Sequence, residues 1–192
     1  MLEFKMKIYQ YENGYEEYVK TQTFHNKRKL GWVYFQPNTG EIIKKHKPEA
    51  DNIICHGTRN AAEQKYFKNA FQEAHVIGTE ISETAEQFPM TVQHDFTLPK
   101  DEWLNKFDIV YSNSFDHTIN PERTLETWTD QLSPDGILAL EYNERESEGS
   151  AMDPLDAKLS EVIDMIKVRL DIVAQDKGSQ AGSVLLICKR KK

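Results

Sequence analysis

Gly57, Glu80 and Asp95 each stand just past a short apolar run, with chemically useful neighbours beside them. Gly57 belongs to the stretch His56, Gly57, Thr58, Arg59 and Asn60, which reads as a turn from a strand into a helix. A lone glycine in such a turn lets a ligand approach the backbone while helix N–H groups point at it, and it serves equally in a turn that binds nothing. Glu80, followed by Ile81, comes 23 residues after Gly57, near the spacing of about 20 residues at which an acidic side chain reaches ribose hydroxyls. A carboxylate there accepts two hydrogen bonds from a diol, or else caps the next turn. Asp95 has Phe96 beside it. Its carboxylate can accept from an adenine amino group while Phe96 or Ile81 covers the ring; the alternative is an ordinary loop residue. Asp116 and His117 follow a fourth apolar run. Histidine titrates near neutrality, so this pair is the candidate general base, against a plain loop-capping role. Glu141, Tyr142 and Asn143 close a fifth run in the same way, as cleft residues or simply as solvated ones.

Such positions need strands that all end on one side of a sheet. From Asp51 onward, short apolar runs alternate with helix-length segments, the pattern of βαβ units and a parallel sheet. Strands are predicted at 52–56, 75–79, 91–93, 107–112 and 136–142. Between the first two, Asn60 to Glu63 reads as a helix start, with Phe67, Ala70, Phe71 and Ala74 recurring on one face. Asn120 and Pro121 supply a cap and a first-turn proline for a second helix carrying Leu125, Trp128 and Leu132, which residues 133–136 end. After an acidic loop at 141–149, Asp153 and Pro154 start a third helix with Leu155, Leu159, Val162, Ile163 and Ile166 on one face. Two β-branched runs, 168–174 and 183–188, flank a turn-rich loop and predict an antiparallel hairpin.

The first fifty residues read differently. They hold nine of the twenty aromatic residues, and residues 31–36 and 41–44 flank Pro37, Asn38, Thr39 and Gly40, a hairpin signal. The expectation is a small β-rich cap over 1–50 and an α/β domain over 51–192. Charge divides the chain at the same place: residues 1–50 carry nine Lys/Arg against six Asp/Glu, a net of +3, and the remainder 15 against 25, a net of -10. An overall charge of -7 opposes general attraction to phosphate backbones, whose binding rests on lysine and arginine. The cluster His25, Lys27, Arg28, Lys29 with Lys44, Lys45 and Lys47 leaves a nucleic-acid surface open as the alternative to solvated lysines. The two cysteines, Cys55 and Cys188, lie in apolar runs, and no apolar stretch resembles a leader or a membrane span. The expectation is therefore a reduced, cytoplasmic protein without disulfides. Its six histidines and two cysteines show no metal-ligand spacing, so no metal is expected.

Residues 107–117, then Asn120, Pro121 and Glu122, then residues 132–138, resemble the fourth-strand motif and the approach to the fifth strand in class I S-adenosylmethionine-dependent methyltransferases. The terminal hairpin is similar to that family's antiparallel last strand. The resemblance runs in element order from Asp51 to Arg190 and in sequence mainly from Phe107 to Leu140. It implies a Rossmann-like, seven-stranded, mostly parallel sheet with helices on both faces. It also implies Gly57 with His56, Thr58 and Arg59 near a methionine moiety, Glu80 on the ribose, Asp95, Phe96 and Ile81 around adenine, and Ser112 and Asn113 beside cofactor and substrate. The glycine-rich loop departs from the family: Arg59 and Ala61 replace its second and third glycines, and Cys55 stands where an acidic residue is usual.

The function this implies is methyl transfer from S-adenosylmethionine, leaving S-adenosylhomocysteine, to a small molecule or a polypeptide side chain, with the N-terminal cap over the acceptor. Two other readings stay open: a methyltransferase fold kept as a binding or assembly module, and a nicotinamide-dependent reductase, against which the missing Gly-x-Gly-x-x-Gly counts.

Overall fold

The computed structural model describes residues 6–144 and 149–191. Its centre is a seven-stranded sheet. Strands β2 (Asn52–His56), β3 (His75–Glu80), β4 (Thr91–Gln93), β5 (Phe107–Ser112) and β6 (Leu132–Asn143) run parallel, and β8 (Leu170–Lys177) and β9 (Ser183–Arg190) complete the sheet. The order is β4-β3-β2-β5-β6-β9-β8, with β9 antiparallel to both its neighbours. The expected sheet and terminal hairpin are both present.

Alternating side chains of the central strands feed two cores, one on each face of the sheet. One face carries Ile54, Val110, Leu138 and Leu186 against Trp128 of α4 (Pro121–Gln131) and Val162, Met165 and Ile166 of α5 (Leu159–Arg169). The other carries Ile53, Cys55, Ile109, Tyr111 and Ile187 against Phe67 and Phe71. Phe67 belongs to α3 (Ala62–Ala70). Asn120 caps α4 as read, its side-chain oxygen accepting from the Arg123 N–H, with Pro121 in the first turn.

The hairpin expected over residues 31–44 is overturned. No hairpin forms there; α1 (Tyr15–Arg28) and α2 (Pro37–His46) take its place. Proline suits the first turn of a helix as well as a β-turn, because its missing N–H is not needed in either. Phe35 and Ile43 then bury in the second core, a gain that no local turn signal reveals. The segment contributes one short strand, β1 (Lys7–Ile8), which pairs antiparallel with β7 (Leu155–Asp156) outside the main sheet. That pairing also corrects the start of the third helix: residues after Pro154 are extended, and α5 begins at Leu159. Residues 133–136 follow α4 as expected but already belong to β6. Residues 145–148 of the acidic loop lie outside the described residues.

Both cysteines are buried free thiols. Several basic residues have partners within the chain. Lys27 lies 2.6 Å from Glu83, Arg28 and Lys29 sit over the rings of Phe24 and Trp32, and Lys44 donates to the Ala70 carbonyl. Among the described residues no helix is long and apolar enough to cross a membrane.

Candidate functional site

A cavity of about 360 Å³ opens at the carboxyl ends of β2, β3, β5 and β6, the end at which open parallel sheets bind ligands. Its floor is made by strand ends and its roof by α1 and residues 29–34. Gly57 turns the chain out of β2 with φ 73°, and a Cβ there would stand 2.7 Å from Ser114. Only glycine fits this turn. Ala61 takes a left-handed conformation, φ 60°, and α3 starts directly after it. The helix start read at Asn60 thus falls two residues later; the Asn60 amide instead donates to the carbonyls of Leu30 and Trp32, fastening the roof to the loop.

Twelve of the sequence-derived candidates line this cavity: Gly57, Arg59, Glu80, Ile81, Asp95, Phe96, Asn113, Asp116, His117, Glu141, Tyr142 and Asn143. The structure does not bring His56, Thr58 or Ser112 to its wall. His56 is fully buried. Its ring stacks on Trp128 at 5.2 Å, its Nδ1 lies 3.0 Å from the Thr79 hydroxyl and its Nε2 2.8 Å from Gln131 Oε1. A neutral ring satisfies both contacts, with Nε2–H donating to Gln131 and the Thr79 hydroxyl donating to Nδ1. Burial holds its pKa down to about 3, against the opposing pull of the Gln131 hydrogen bond. Thr58 gives its N–H to the Thr79 carbonyl and its hydroxyl accepts from Gln64. Ser112 donates to the His56 carbonyl and accepts from the Ser114 N–H. These three side chains build the floor from beneath.

Glu80 is 7% exposed. Its Oε1 accepts from the Ser82 N–H at 2.9 Å, so the capping role and the cleft position belong to one side chain. Burial raises its carboxyl above the usual carboxylate range, against the pull of that N–H and of the Arg59 guanidinium. Asp95 holds the far corner: Tyr15 donates to its Oδ2 at 2.6 Å, and the Thr97 N–H and hydroxyl donate to Oδ1. Arg59 reaches back to the roof, its guanidinium 5.1 Å from the centre of the Tyr34 ring.

Across the cavity, His117 Nδ1 lies 3.6 Å from Asp153 Oδ1 and Nε2 lies 4.0 Å from Asp116 Oδ1. Donor atoms of the three residues all lie within 4.8 Å of one another, close enough to hold one small cation together. Tyr18 of α1 donates to the His117 carbonyl at 2.8 Å. Sequence spacing gave no sign of Asp153, which comes 36 residues after His117. Glu141, read from the sequence as a cleft or a solvated residue, lines the cavity, and so does Glu63, which the sequence did not single out as a site residue. Glu141 accepts from the hydroxyls of Tyr111 and Ser179 at 2.6 and 2.8 Å. Glu63, in the first turn of α3, is 6% exposed, and burial raises its pKa to about 7. Its position just inside a helix that follows a ligand-facing turn was the one sequence signal available.

No family model and no curated protein matches the chain. Solved structures do. The 1,6-didemethyltoxoflavin-N1-methyltransferase of Burkholderia thailandensis, solved with 1,6-didemethyltoxoflavin and S-adenosylhomocysteine, has a TM-score of 0.70 at 14% identity, over 92% of this chain and 87% of that one. The fold is that of the class I methyltransferases. A TehB-like S-adenosylmethionine-dependent methyltransferase from Corynebacterium glutamicum gives a TM-score of 0.64 at 15% identity, over 92% of this chain and 97% of that one. The N-methyltransferase NodS of Bradyrhizobium japonicum, solved with S-adenosylhomocysteine, gives 0.62 at 12%, over 89% and 99%. The antiparallel β9 places the chain within this methyltransferase architecture, as the terminal hairpin implied.

Proposed function

We propose that this chain is a methyltransferase that uses S-adenosylmethionine and methylates a small-molecule acceptor or an exposed side chain of a polypeptide. One observation carries the reading: Gly57, Glu80 and Asn113, from the ends of three parallel strands, open with Asp95 onto a single cavity in a methyltransferase fold. The residues present fit the cofactor. The Gly57 turn has no room for a side chain, and Glu80 stands at the strand end with most of its carboxyl withdrawn from solvent. Glu80 would hold the ribose, Asp95 and Phe96 the adenine, and Arg59 a carboxylate, which its guanidinium can bind through two N–H groups. When bound, S-adenosylmethionine supplies a methyl group already activated on a sulfonium centre.

The protein's remaining work is positioning and proton handling. Tyr18 walls the acceptor side beside His117, and Asp116 and Asp153 flank His117. His117 takes the proton that the acceptor nitrogen or oxygen loses, and the two carboxylates stabilise the imidazolium so formed. The roof of α1 and residues 29–34 covers the site.

Calorimetric titration with S-adenosylhomocysteine, S-adenosylmethionine and NADH tests the reading. Binding of the two adenosyl sulfur compounds and none of NADH is expected. Binding of NADH alone would transfer the site to nicotinamide chemistry, and binding of none of the three would remove the cofactor altogether.

A further inference from the structure

Of the carboxylates in the floor of the cavity, Glu63 differs from its neighbours in one respect. Glu80 has the Ser82 N–H and Glu141 has Tyr111 and Ser179, but Glu63 Oε2 is buried and has no hydrogen-bond partner. A buried polar atom left unpaired costs on the order of 1–3 kcal/mol, and more when charged, so its persistence calls for a ligand that pairs it. The side chain is more than nine-tenths buried and lines the cavity beside Gly57 and Arg59. Arg59, the nearest cation, is turned toward the Tyr34 ring and the Trp32 carbonyl. The missing partner is therefore a donor that arrives from the cavity, and a carboxylate in that setting selects a positively charged one.

We infer that Glu63 receives the α-ammonium group of the bound ligand's amino-acid arm, with Arg59 opposite for its carboxylate. This rests on the cofactor reading above and gives the substituted glycine loop a purpose: the amino-acid arm is held by charged side chains as well as by backbone. Every titratable group that bears on Glu63 is consistent with an incoming cation. Arg59 is the positive neighbour, while Glu141 and Glu80 are acidic groups whose proximity disfavours a further negative charge until a cation arrives. With its pKa raised to about 7, Glu63 is partly protonated at neutral pH without ligand. Pairing with an ammonium ionises it, so binding releases a fraction of a proton at pH 7.

The test is calorimetric titration of the full chain with S-adenosylhomocysteine in two buffers of different ionisation enthalpy, alongside 5′-methylthioadenosine, which lacks the amino-acid arm. The parent protein is expected to release more protons on binding the former than on binding the latter, the difference being the contribution of Glu63. Glu63→Gln, nearly isosteric, is expected to abolish that difference and weaken S-adenosylhomocysteine by about ten- to a hundredfold, leaving 5′-methylthioadenosine unchanged. Equal weakening of both ligands, or unchanged affinity with proton release intact, would overturn the assignment. Should the parent protein bind neither compound, the cofactor reading itself fails and the assignment goes with it.

Discussion

Two polar clusters fewer than ten residues apart in sequence behave as opposites. Around His56, burial is complete and both ring nitrogens are paired, by Thr79 and Gln131, under the cover of Trp128. Around Glu63, burial is nearly as deep, but the side chain lines the cavity and one carboxylate oxygen is without a partner. Burial alone therefore does not distinguish a structural polar group from a binding one, and neither does an unpaired atom, since Gln131 Nε2 beside His56 also lacks a partner; at Glu63 the unpaired atom belongs to a side chain that lines the cavity. The two also respond to protons in opposite directions, which gives each a separate signature.

His56 carries the largest expected effect. Its pKa falls from the ordinary 6.5 to about 3 in the fold, so its contribution is fully present above pH 6.5 and is lost as pH falls toward 3. Over that gap the loss reaches about 4–5 kcal/mol. Denaturant unfolding measured between pH 4 and 7 should show this slope in the parent protein and its absence in His56→Phe, which keeps the stack on Trp128. An unchanged slope would mean that His56 is not held neutral. Glu63 has the reverse sign. Its pKa rises from 4.5 to about 7, so its favourable contribution is complete below pH 4.5 and is lost as pH rises through 7. Without ligand, Glu63→Gln should be more stable than the parent above pH 7, by as much as about 3 kcal/mol. Equal melting temperatures at pH 8 would contradict a strained carboxylate.

Glu80 stands between the two clusters, paired on one oxygen and open to the cleft. Glu80→Ala should cost S-adenosylhomocysteine binding about 1.5–3 kcal/mol and lower stability by about 1 kcal/mol, because the Ser82 N–H loses its acceptor. A loss confined to stability would restrict the residue to capping. The smallest effect is expected at Ala61, whose left-handed backbone suits glycine better. Ala61→Gly should leave stability level or raise it by up to about 1 kcal/mol, the strain relieved being partly offset by the greater chain entropy of glycine. A drop in melting temperature would show that the Ala61 methyl matters more than its backbone strain.

The central strands were legible because parallel strands buried on both faces appear as unbroken apolar runs, as in Ile53, Ile54 and Cys55 or Ile109, Val110 and Tyr111. That same property hid which strand-end residues face the cleft: with both faces apolar, periodicity cannot tell that His56 and Ser112 point beneath the floor. The order of strand ends located Gly57, Glu80, Asp95, Asp116 and His117 on one cavity. Asp153 and the N-terminal helices escaped because long-range contacts decide them. Leu155 pairs with Ile8, and Phe35 packs on Tyr111, so neither segment's conformation is written in its own neighbourhood.

β9 is the last strand in sequence, yet it lies inside the sheet with partners on both edges. This sets a timetable for synthesis. The edge of β6 from Ile137 to Asn143 has no partner until Ser183–Arg190 is made, beginning about 40 residues after Asn143. At ~5–20 residues per second, translation leaves that edge open for roughly 2–8 s. An unpaired apolar edge is a template for pairing with another chain, so neighbouring nascent copies on one messenger compete with β9 for it. A cleft ligand cannot shorten the interval, because Ser179, which fixes Glu141 in the cavity floor, emerges on the same hairpin.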